Sequence, residues 1–236
     1  MGEGILIAGG GLAAQRAAET LRNKGYTGRV RMVGAEAHLP YDRPPLSKAV
    51  LTDPGAEAAV GFRAPDWYAE RDIEVLAGVA VTGMDVDARK VALANGEELA
   101  YEQLLIATGS SPRRLPLLER FTNVSVLRTL DDALLLRAVL GQARRLVIVG
   151  AGFIGQEAAV AATAAGVDVT LVEAAQSPME MLLGPSVGAW FAGLHESRGA
   201  RLILGAQVTA AEGDERVRSL TLDDGTRLEC DHVLLG

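Results

Sequence analysis

The pattern of hydrophobic and polar positions repeats itself along the chain. An apolar run at 5–8 (ILIA) leads into a glycine-rich turn and then into a helical pattern that ends at Gly25. The stretch 145–166 (RLVIVGAGFIGQEAAVAATAAG) has the same order of apolar run, glycine-rich turn and helical pattern, and its helix ends at Gly166. Short apolar runs that alternate with helices of this length predict parallel βαβ units. The chain therefore contains two copies of one α/β unit.

A second repeated pattern follows each of these units. Residues 79–109 and 206–236 both have the pattern of alternating strands joined by a tight turn, at Asn95-Gly96 in the first copy and at Gly225 in the second. A glycine turn between strands of alternating hydrophobicity predicts a β-hairpin. We therefore expect each copy to add a hairpin or meander layer to its sheet.

Both glycine-rich turns have the spacing of a dinucleotide-binding fingerprint. Its positions are Gly9, Gly11 and Ala14 (GxGxxA) in the first turn, and Gly150, Gly152 and Gly155 (GxGxxG) in the second. The first glycine of such a motif allows a tight turn, the second lets a pyrophosphate approach the backbone, and the third keeps helix and strand close. The phosphates then meet unpaired N–H groups at the helix N-terminus. Glycines of ordinary strand-to-helix turns are the alternative, but two fingerprints in matching contexts favour two nucleotide sites.

An acidic residue ends the strand pattern that follows each fingerprint. Glu36 lies 27 residues after Gly9, and Glu173 lies 23 residues after Gly150. A carboxylate at this position accepts hydrogen bonds from an adenosine ribose. Glu173 would also repel a 2′-phosphate, and no arginine follows it in EAAQSP. The second site is therefore predicted to favour NADH over NADPH.

These patterns predict the fold class and the domain boundary. We expect an α/β protein with two Rossmann-like, three-layer dinucleotide-binding domains, each with a β-hairpin or meander layer. The domains are expected to span 1–109 and 110–236. The second copy stops at Gly236, at a point from which the first copy continues, so we expect the chain to be a truncated form of a longer protein.

Composition limits the chemistry that the chain can perform. A hydrophobic content of 49% with 22% charged residues is typical of a folded α/β protein, and a net charge of −7 argues against a general nucleic-acid binder. No apolar run reaches the roughly 18 residues of a membrane span, and the N-terminus lacks a signal-peptide pattern, so we expect a soluble, cytoplasmic protein without a membrane partner. The single cysteine, Cys230, cannot form an internal disulfide or a CxxC pair. Redox chemistry would therefore have to lie on a cofactor.

Other residues are interpreted as structural. The histidines at 38, 195 and 232 have no metal-ligand spacing, so we expect no metal site. In the amphipathic stretch VGAWFAGLHESRGA we expect Trp190, Phe191 and Leu194 to lie in the core. Cys230 is expected to be inert packing or a surface thiol.

Several stretches together resemble one family. GGGLAA, PYDRPPLSKAVL, LLIATGSSPRRLP, LRTLDDALLLR, and VIVGAGFIGQEAA followed by VTLVEAA occur in the order and spacing of the FAD- and NADH-dependent ferredoxin reductases of the rubredoxin and putidaredoxin reductase type. These enzymes belong to the two-dinucleotide-fold pyridine nucleotide-disulfide oxidoreductase class. RPPLSK and Glu157, two residues after Gly155, narrow the resemblance to this branch, and the absence of CxxC agrees, because the disulfide reductase branches need a redox cysteine pair. The resemblance covers the whole chain.

The resemblance implies a flavin site at the first fingerprint. FAD would bind there, with Glu36 on its adenosine ribose, while the proline-braced loop 38–48 (HLPYDRPPLSK) would present Arg43 and Lys48 to the flavin. Lys48 would stabilise the negative charge of the reduced ring and pair with Glu157 across the domain junction, beside the nicotinamide. A solvated loop cation and a helix N-terminal charge are the alternatives for these two residues.

The resemblance implies catalytic and cofactor-binding roles for particular residues. Lys48 and Glu157 are the expected catalytic pair, and Val81 has strand core as its alternative. The expected cofactor-binding residues are Gly9, Gly11, Ala13, Ala14, Glu36, Arg43, Lys48, Val81, Thr108, Gly109, Arg128, Gly150, Gly152, Ile154, Gly155 and Glu173.

The resemblance also implies an activity. The protein would pass hydride from NADH to FAD and then single electrons to a small iron–sulfur ferredoxin that serves an oxygenase. An NADH oxidase, the NADH-binding part of a nitrite reductase, and a catalytically incomplete nucleotide-binding fragment are the alternatives. In relatives the chain returns to the FAD domain after the second fold, so we expect domain 1–109 to lack that return segment. The sequence does not predict an oligomeric state.

Overall fold

The structure, a computed structural model, describes residues 3–236 and divides into two compact units. The first unit runs to Arg43 and resumes at Ala58–Ser110. The second consists of Pro44–Glu57 and Ser111–Gly236. Residues 44–57, which begin within the proline-braced loop, therefore belong to the second unit, although the chain on both sides of them belongs to the first.

The elements follow the predicted order. The strands are β1 (Ile5–Ala8), β2 (Val30–Gly34), β3 (Ile73–Ala77), β4 (Val81–Asp85), β5 (Lys90–Leu93), β6 (Glu98–Ala100), β7 (Gln103–Ile106), β8 (Val124–Val126), β9 (Arg145–Val149), β10 (Asp168–Glu173), β11 (Arg201–Leu204), β12 (Val208–Gly213), β13 (Val217–Leu222), β14 (Arg227–Glu229) and β15 (His232–Leu235). The helices are α1 (Leu12–Asn23), α2 (Ala49–Thr52), α3 (Pro65–Ala69), α4 (Leu130–Leu140), α5 (Phe153–Ala164), α6 (Glu180–Leu183) and α7 (Pro185–Glu196). Short 3-10 helices span Pro44–Ser47, Ala56–Ala59 and Pro116–Leu118.

The two parallel sheets have the same strand order. In the first unit the order is β3-β2-β1-β7, and in the second it is β11-β10-β9-β15 with β8 added beside β15. In the first sheet β1, the strand before the glycine turn, lies between β2, which ends near Glu36, and β7. In the second sheet β9 lies between β10, which ends at Glu173, and β15. This agreement confirms the predicted duplication and the α/β fold class.

Each parallel sheet is covered on one face by a separate antiparallel sheet. Its strands are β4-β5-β6 in the first unit and β12-β13-β14 in the second. Adjacent residues of β1 show the alternation: Leu6 packs with Val91 of the antiparallel sheet, and Ile7 packs with Ala14 of α1. Because successive side chains of a strand point to opposite faces, one apolar run fills two core layers. The predicted three-layer arrangement is confirmed.

The helix that follows each fingerprint ends where the sequence predicted. Gly25 and Gly166 lie just past α1 and α5 with φ values of +83° and +82°, a left-handed conformation that glycine adopts without steric cost. One core prediction was wrong, because Trp190 of α7 is 63% exposed while His195 of the same helix is 4% exposed. The apolar period of α7 was correct for a helix, but the periodicity does not say which side of a short amphipathic helix a neighbouring element covers.

The second unit buries a polar pair between neighbouring strands. Ser125 of β8 and His232 of β15 are both buried, and the Ser125 hydroxyl contacts Nε2 of His232. Burial, with a contribution from the charge of Arg216, lowers the pKa of His232 to about 4. His232 therefore packs as a neutral imidazole at neutral pH.

The described residues also bear on membrane and metal chemistry. Within 3–236 no helix is both long and apolar enough to cross a membrane. The same residues bring no three His, Cys, Asp or Glu side chains together in a way that could hold a metal ion.

The buried histidine predicts acid sensitivity of the second unit. Between pH 6.5 and about 4 the unfolded chain binds a proton at His232 that the folded chain does not bind, so stability falls as pH falls through this window. At about 1.4 kcal/mol per pKa unit, this loss is roughly 3 kcal/mol. We expect urea unfolding at pH 7 and pH 4.5 to show a smaller loss in His232→Asn than in the unchanged chain. His38→Asn, in the first unit, is the control, and an equal loss in all three proteins would contradict the prediction.

Candidate functional site

Each unit has a glycine turn between its central strand and the helix that follows. Gly9 and Gly150 have φ values of +137° and +108°. A Cβ atom on Gly9 would lie 2.1 Å from the carbonyl oxygen of Ala107, and one on Gly150 would lie 2.6 Å from that of Gly236. Both the positive φ and the close approach to the closing strand therefore require glycine.

The turns leave open space where a phosphate would approach. A Cβ atom on Gly11 or Gly152 would meet no atom of the described residues within 4 Å. These glycines are the N-caps of α1 and α5, and no side chain in the described part of the chain caps either helix. The first-turn N–H groups of a helix lack intrahelical partners and attract anions. The two turns therefore fit the pyrophosphate of a dinucleotide.

The third fingerprint position keeps each helix against its strand. Ala14 is fully buried, and a Cβ atom on Gly155 would lie 2.0 Å from the carbonyl oxygen of Gly150. Apolar side chains next to the turns remain accessible, since Leu12, Phe153 and Ile154 are 51%, 57% and 36% exposed. An adenine or nicotinamide ring needs apolar surface of this kind.

The acid of the first unit is held by side chains of the proline-braced loop. Arg43 donates from Nη2 to Oε1 of Glu36 over 2.6 Å, and the hydroxyl of Tyr41 donates to Oε2. The guanidinium of Arg43 also lies 5.4 Å from the centre of the Tyr41 ring, within cation–π range. In this structure Arg43 contacts Glu36, the residue that the sequence placed at the adenosine ribose.

The acid of the second unit is held by the backbone. Glu173 accepts from the N–H of Ala151 over 2.6 Å and from the N–H of Ala175 over 2.9 Å. Ala151 is the middle residue of the glycine turn, so Glu173 lies next to the cradle, by which we mean the open space beside Gly152 and the N-terminus of α5. A carboxylate in this position is suited to accept ribose hydroxyls and to repel a 2′-phosphate.

Lys48 and Glu157 form the predicted ion pair. Nζ of Lys48 lies 2.7 Å from Oε2 of Glu157, and the buried hydroxyl of Ser47 donates to the same oxygen. Lys48 also donates to the carbonyl oxygen of Pro44 over 3.2 Å. The resemblance implied that this pair would join two domains, whereas in the structure both residues belong to the second unit. The reason is that residues 44–57 pack on α4 and α5. Such a long-range contact cannot be predicted from the pattern of neighbouring residues.

Arg137 of α4 ties the rest of this segment to the second unit. Its guanidinium binds both carboxylate oxygens of Glu57, at 2.8 and 3.2 Å. It also donates to the carbonyl oxygens of Val50 and Asp53, at 3.2 and 3.4 Å. Hydrogen bonds from Arg137 are the main cause that lowers the pKa of Glu57 to about 2. Sequence reasoning missed Arg137 because its ion-pair partner lies 80 residues away along the chain.

The remaining expected residues are divided between the units. Val81, Thr108 and Gly109 lie in the first unit, where Val81 is partly buried in β4 against the core and the other two are exposed. Arg128 lies in the second unit, in the chain segment before α4, and its backbone N–H donates to Asp132 over 2.9 Å. Their contact with the flavin, which the resemblance implied, stays a prediction.

The single cysteine lies away from these turns. Cys230 is 3% exposed and packs in the core beneath β13, and burial raises its pKa to about 11. A thiol with this pKa stays protonated at neutral pH and is a poor nucleophile. The expectation of inert packing is confirmed, and that of a surface thiol is wrong.

The chain is similar to known oxidoreductases. Residues 4–236 match the family described as pyridine nucleotide-disulphide oxidoreductase. The chain is 41% identical to the ferredoxin reductase component of a chlorobenzene dioxygenase from Cupriavidus sp. (strain PS12), over 98% of this chain and 56% of that protein. It is 37% identical to putidaredoxin reductase from Pseudomonas putida, over 99% of this chain and 57% of that protein.

A solved structure shows the same fold. The crystal structure of the covalent putidaredoxin reductase–putidaredoxin complex superimposes with a TM-score of 0.94 at 37% identity, over 99% of this chain and 58% of that chain. The chain thus spans just over half the length of the proteins that it matches. These similarities confirm the resemblance that the sequence motifs indicated.

The Arg137 contacts predict how firmly the Lys48 segment is held. Arg137→Met removes two carbonyl bonds and a bidentate ion pair, so we expect the backbone amides of 48–57 to exchange with deuterium about tenfold faster or more, since each lost bond is worth about 1 kcal/mol. Arg137→Lys should restore only part of the protection, because an ammonium lacks the planar fork. The matched control is Arg218→Met, which removes an exposed arginine that pairs with Asp214. Unchanged exchange in Arg137→Met would refute this role.

Proposed function

The chain belongs to the pyridine nucleotide-disulphide oxidoreductase family, and we propose that it acts as an FAD-dependent NADH:ferredoxin oxidoreductase. The observation that carries the proposal is the recurrence, in both units, of a glycine turn with an open cradle and of an acid held close by. Two such sites suit an enzyme that binds two dinucleotides at once. The similarity to reductase components of oxygenase systems supports ferredoxin chemistry over other members of the family.

In this proposal the first unit holds FAD. Gly11 and the N-terminus of α1 receive the pyrophosphate, and Glu36 accepts the hydroxyls of the adenosine ribose. Tyr41 and Arg43 fix the Glu36 carboxylate, so it needs no rotamer search when the nucleotide binds. Val81, Thr108, Gly109 and Arg128 are proposed flavin contacts on the strength of the resemblance.

The second unit holds NADH. Gly152 and the N-terminus of α5 receive its pyrophosphate, and Ile154 offers apolar surface beside the turn. Glu173, held by the Ala151 N–H, binds the adenosine ribose and disfavours NADPH through charge repulsion with the 2′-phosphate. The exposed positions around Gly152 leave the turn accessible to the ligand.

Lys48 is the proposed electrostatic catalyst. FAD, when bound, supplies a ring that accepts hydride from NADH and releases the two electrons singly. The Lys48 ammonium offsets the negative charge of that reduction, and a cation held in place beforehand acts without reorganisation. Glu157 and the carbonyl of Pro44 hold the ammonium in one position, and the hydroxyl of Ser47 fixes the Glu157 carboxylate. Arg137, through its hydrogen bonds to Val50, Asp53 and Glu57, holds the segment 44–57 that carries Lys48.

The electrons then leave for a small iron–sulfur ferredoxin that serves an oxygenase. The buried, protonated Cys230 favours this route over a thiol-based one, because it lies in the core and no second cysteine exists in the chain. A cytoplasmic location, where NADH is supplied, completes the proposal.

Cofactor retention by this chain is the first test. We expect the protein, incubated with excess FAD and desalted, to keep a visible flavin band that bleaches when NADH is added without oxygen. Recovery of the band after addition of a small iron–sulfur ferredoxin would support the acceptor, whereas recovery only with oxygen would indicate an NADH oxidase. A colourless protein would contradict flavin binding by this chain.

Lys48 gives a residue-level test. Removing one preorganised charge at a reacting centre costs roughly a factor of 10². We therefore expect Lys48→Met to slow the anaerobic reduction of bound flavin by NADH by about that factor in stopped-flow measurements, with little change in NADH affinity. Lys90→Met is the matched control, because Lys90 also forms an ion pair, with Glu98 at 2.9 Å. Equal rates for both variants would reject the role of Lys48.

A further inference from the structure

A buried glutamine follows the third fingerprint position in both turns. Gln15 comes directly after Ala14 and is 1% exposed, and Gln156 comes directly after Gly155 and is 5% exposed. Buried amide groups are expensive unless they are hydrogen-bonded. The fingerprint itself does not call for glutamine at this position, so its partners reveal what it does.

Gln156 links the turn of the second unit to a buried histidine. Its Nε2 donates to the carbonyl oxygen of Ala151 over 3.1 Å, and its Oε1 lies 3.1 Å from Nε2 of His195. Burial lowers the pKa of His195, with a contribution from Arg198, so the imidazole is neutral at neutral pH. Because the amide oxygen of Gln156 only accepts, the imidazole donates from Nε2.

Ala151 is therefore held on both sides of its backbone. Gln156 binds its carbonyl, and Glu173 accepts from its N–H over 2.6 Å. The N–H of Met179 also donates to this carbonyl, at 3.3 Å. A continuous set of hydrogen bonds thus runs from His195 through Gln156 and Ala151 to the carboxylate of Glu173.

We propose that Gln156, fixed by His195, is a positioning residue that sets the nucleotide specificity of the second unit by holding Ala151 and, through it, Glu173. The inference rests on the proposed binding of NADH by this unit. Loosening the Ala151 backbone leaves the Glu173 carboxylate less firmly placed. The ribose then loses a well-oriented acceptor, while a 2′-phosphate meets less repulsion.

The first unit supplies an internal control. Gln15 accepts from the hydroxyl of Tyr68 over 2.6 Å, but within the described residues its Nε2 has no hydrogen-bond partner. Glu36, the acid of that unit, is bound by Tyr41 and Arg43 instead. The same substitution at the same fingerprint position is therefore expected to spare nucleotide binding by the second unit.

The test measures binding of NADH and NADPH to this chain by calorimetry, without added FAD. Loss of one buried hydrogen bond weakens binding by about fivefold. We expect Gln156→Met to weaken NADH binding by about that factor and to reduce the preference for NADH over NADPH by about threefold, because the repulsion is relaxed. Gln15→Met should change neither quantity. His195→Phe, which keeps a ring in the core but removes the donor, should shift the preference in the same direction.

A double variant separates positioning from general damage to the fold. If Gln156 acts through Glu173, its effect on the preference should vanish in a Glu173→Ala background. A folding defect would weaken both nucleotides equally in either background, and that result would overturn the inference, as would an unchanged preference in both Gln156→Met and His195→Phe. Failure of the unchanged chain to bind NADH would instead reject the proposed function of the second unit together with this inference.

Discussion

At Gly9 and Gly150 the turn passes so close to the neighbouring closing strand that there is no room for a side chain. A Cβ atom at either position would overlap a carbonyl oxygen, at 2.1 Å for Gly9 and 2.6 Å for Gly150. The turn thus lies at the carboxyl edge of the sheet, and the helix that follows packs against the strand that precedes the turn. The cradle, the helix N-terminus and the acid on the next strand are brought together by this steric constraint.

The two units hold their acidic residues in different ways. In the first, side chains of the proline-braced loop fix the acid, since Tyr41 and Arg43 both bind Glu36. In the second, the turn itself fixes the acid, through the Ala151 N–H. A backbone donor cannot change rotamer, so the nucleotide selectivity that we propose for the second unit would rest on the turn itself. The buried Gln156 and His195 hold that turn through the carbonyl of Ala151.

The segment 44–57 adds a charge to the second unit that the Rossmann-like architecture alone does not provide. Glu157 holds one end of it through Lys48 and Ser47, and Arg137 holds the other through Glu57. The isolated surface pair Lys48–Glu157 would be worth little by itself, because Lys48 is half exposed and water screens it. The pair instead helps to fix the position of the Lys48 ammonium, since a cation attached to a segment held at both ends has few alternative positions. The proline residues limit the segment in the unfolded chain as well, which lowers the entropy cost of ordering it.

The sequence by itself determined the features that rest on local physics. Apolar runs, helical periodicity and glycine spacing were sufficient to predict two α/β units, their antiparallel layers, their turns and their acids, because each depends on neighbours within a few residues. The Lys48–Glu157 pair came from family resemblance. Only the tertiary structure decided that 44–57 joins the second unit, that Arg137 meets Glu57, that Gln156 meets His195, and that Trp190 faces solvent. Hydrogen bonds between residues tens of positions apart form only after the sheets and helices have packed. The hydrophobic periodicity of one segment does not show which other segment packs against it.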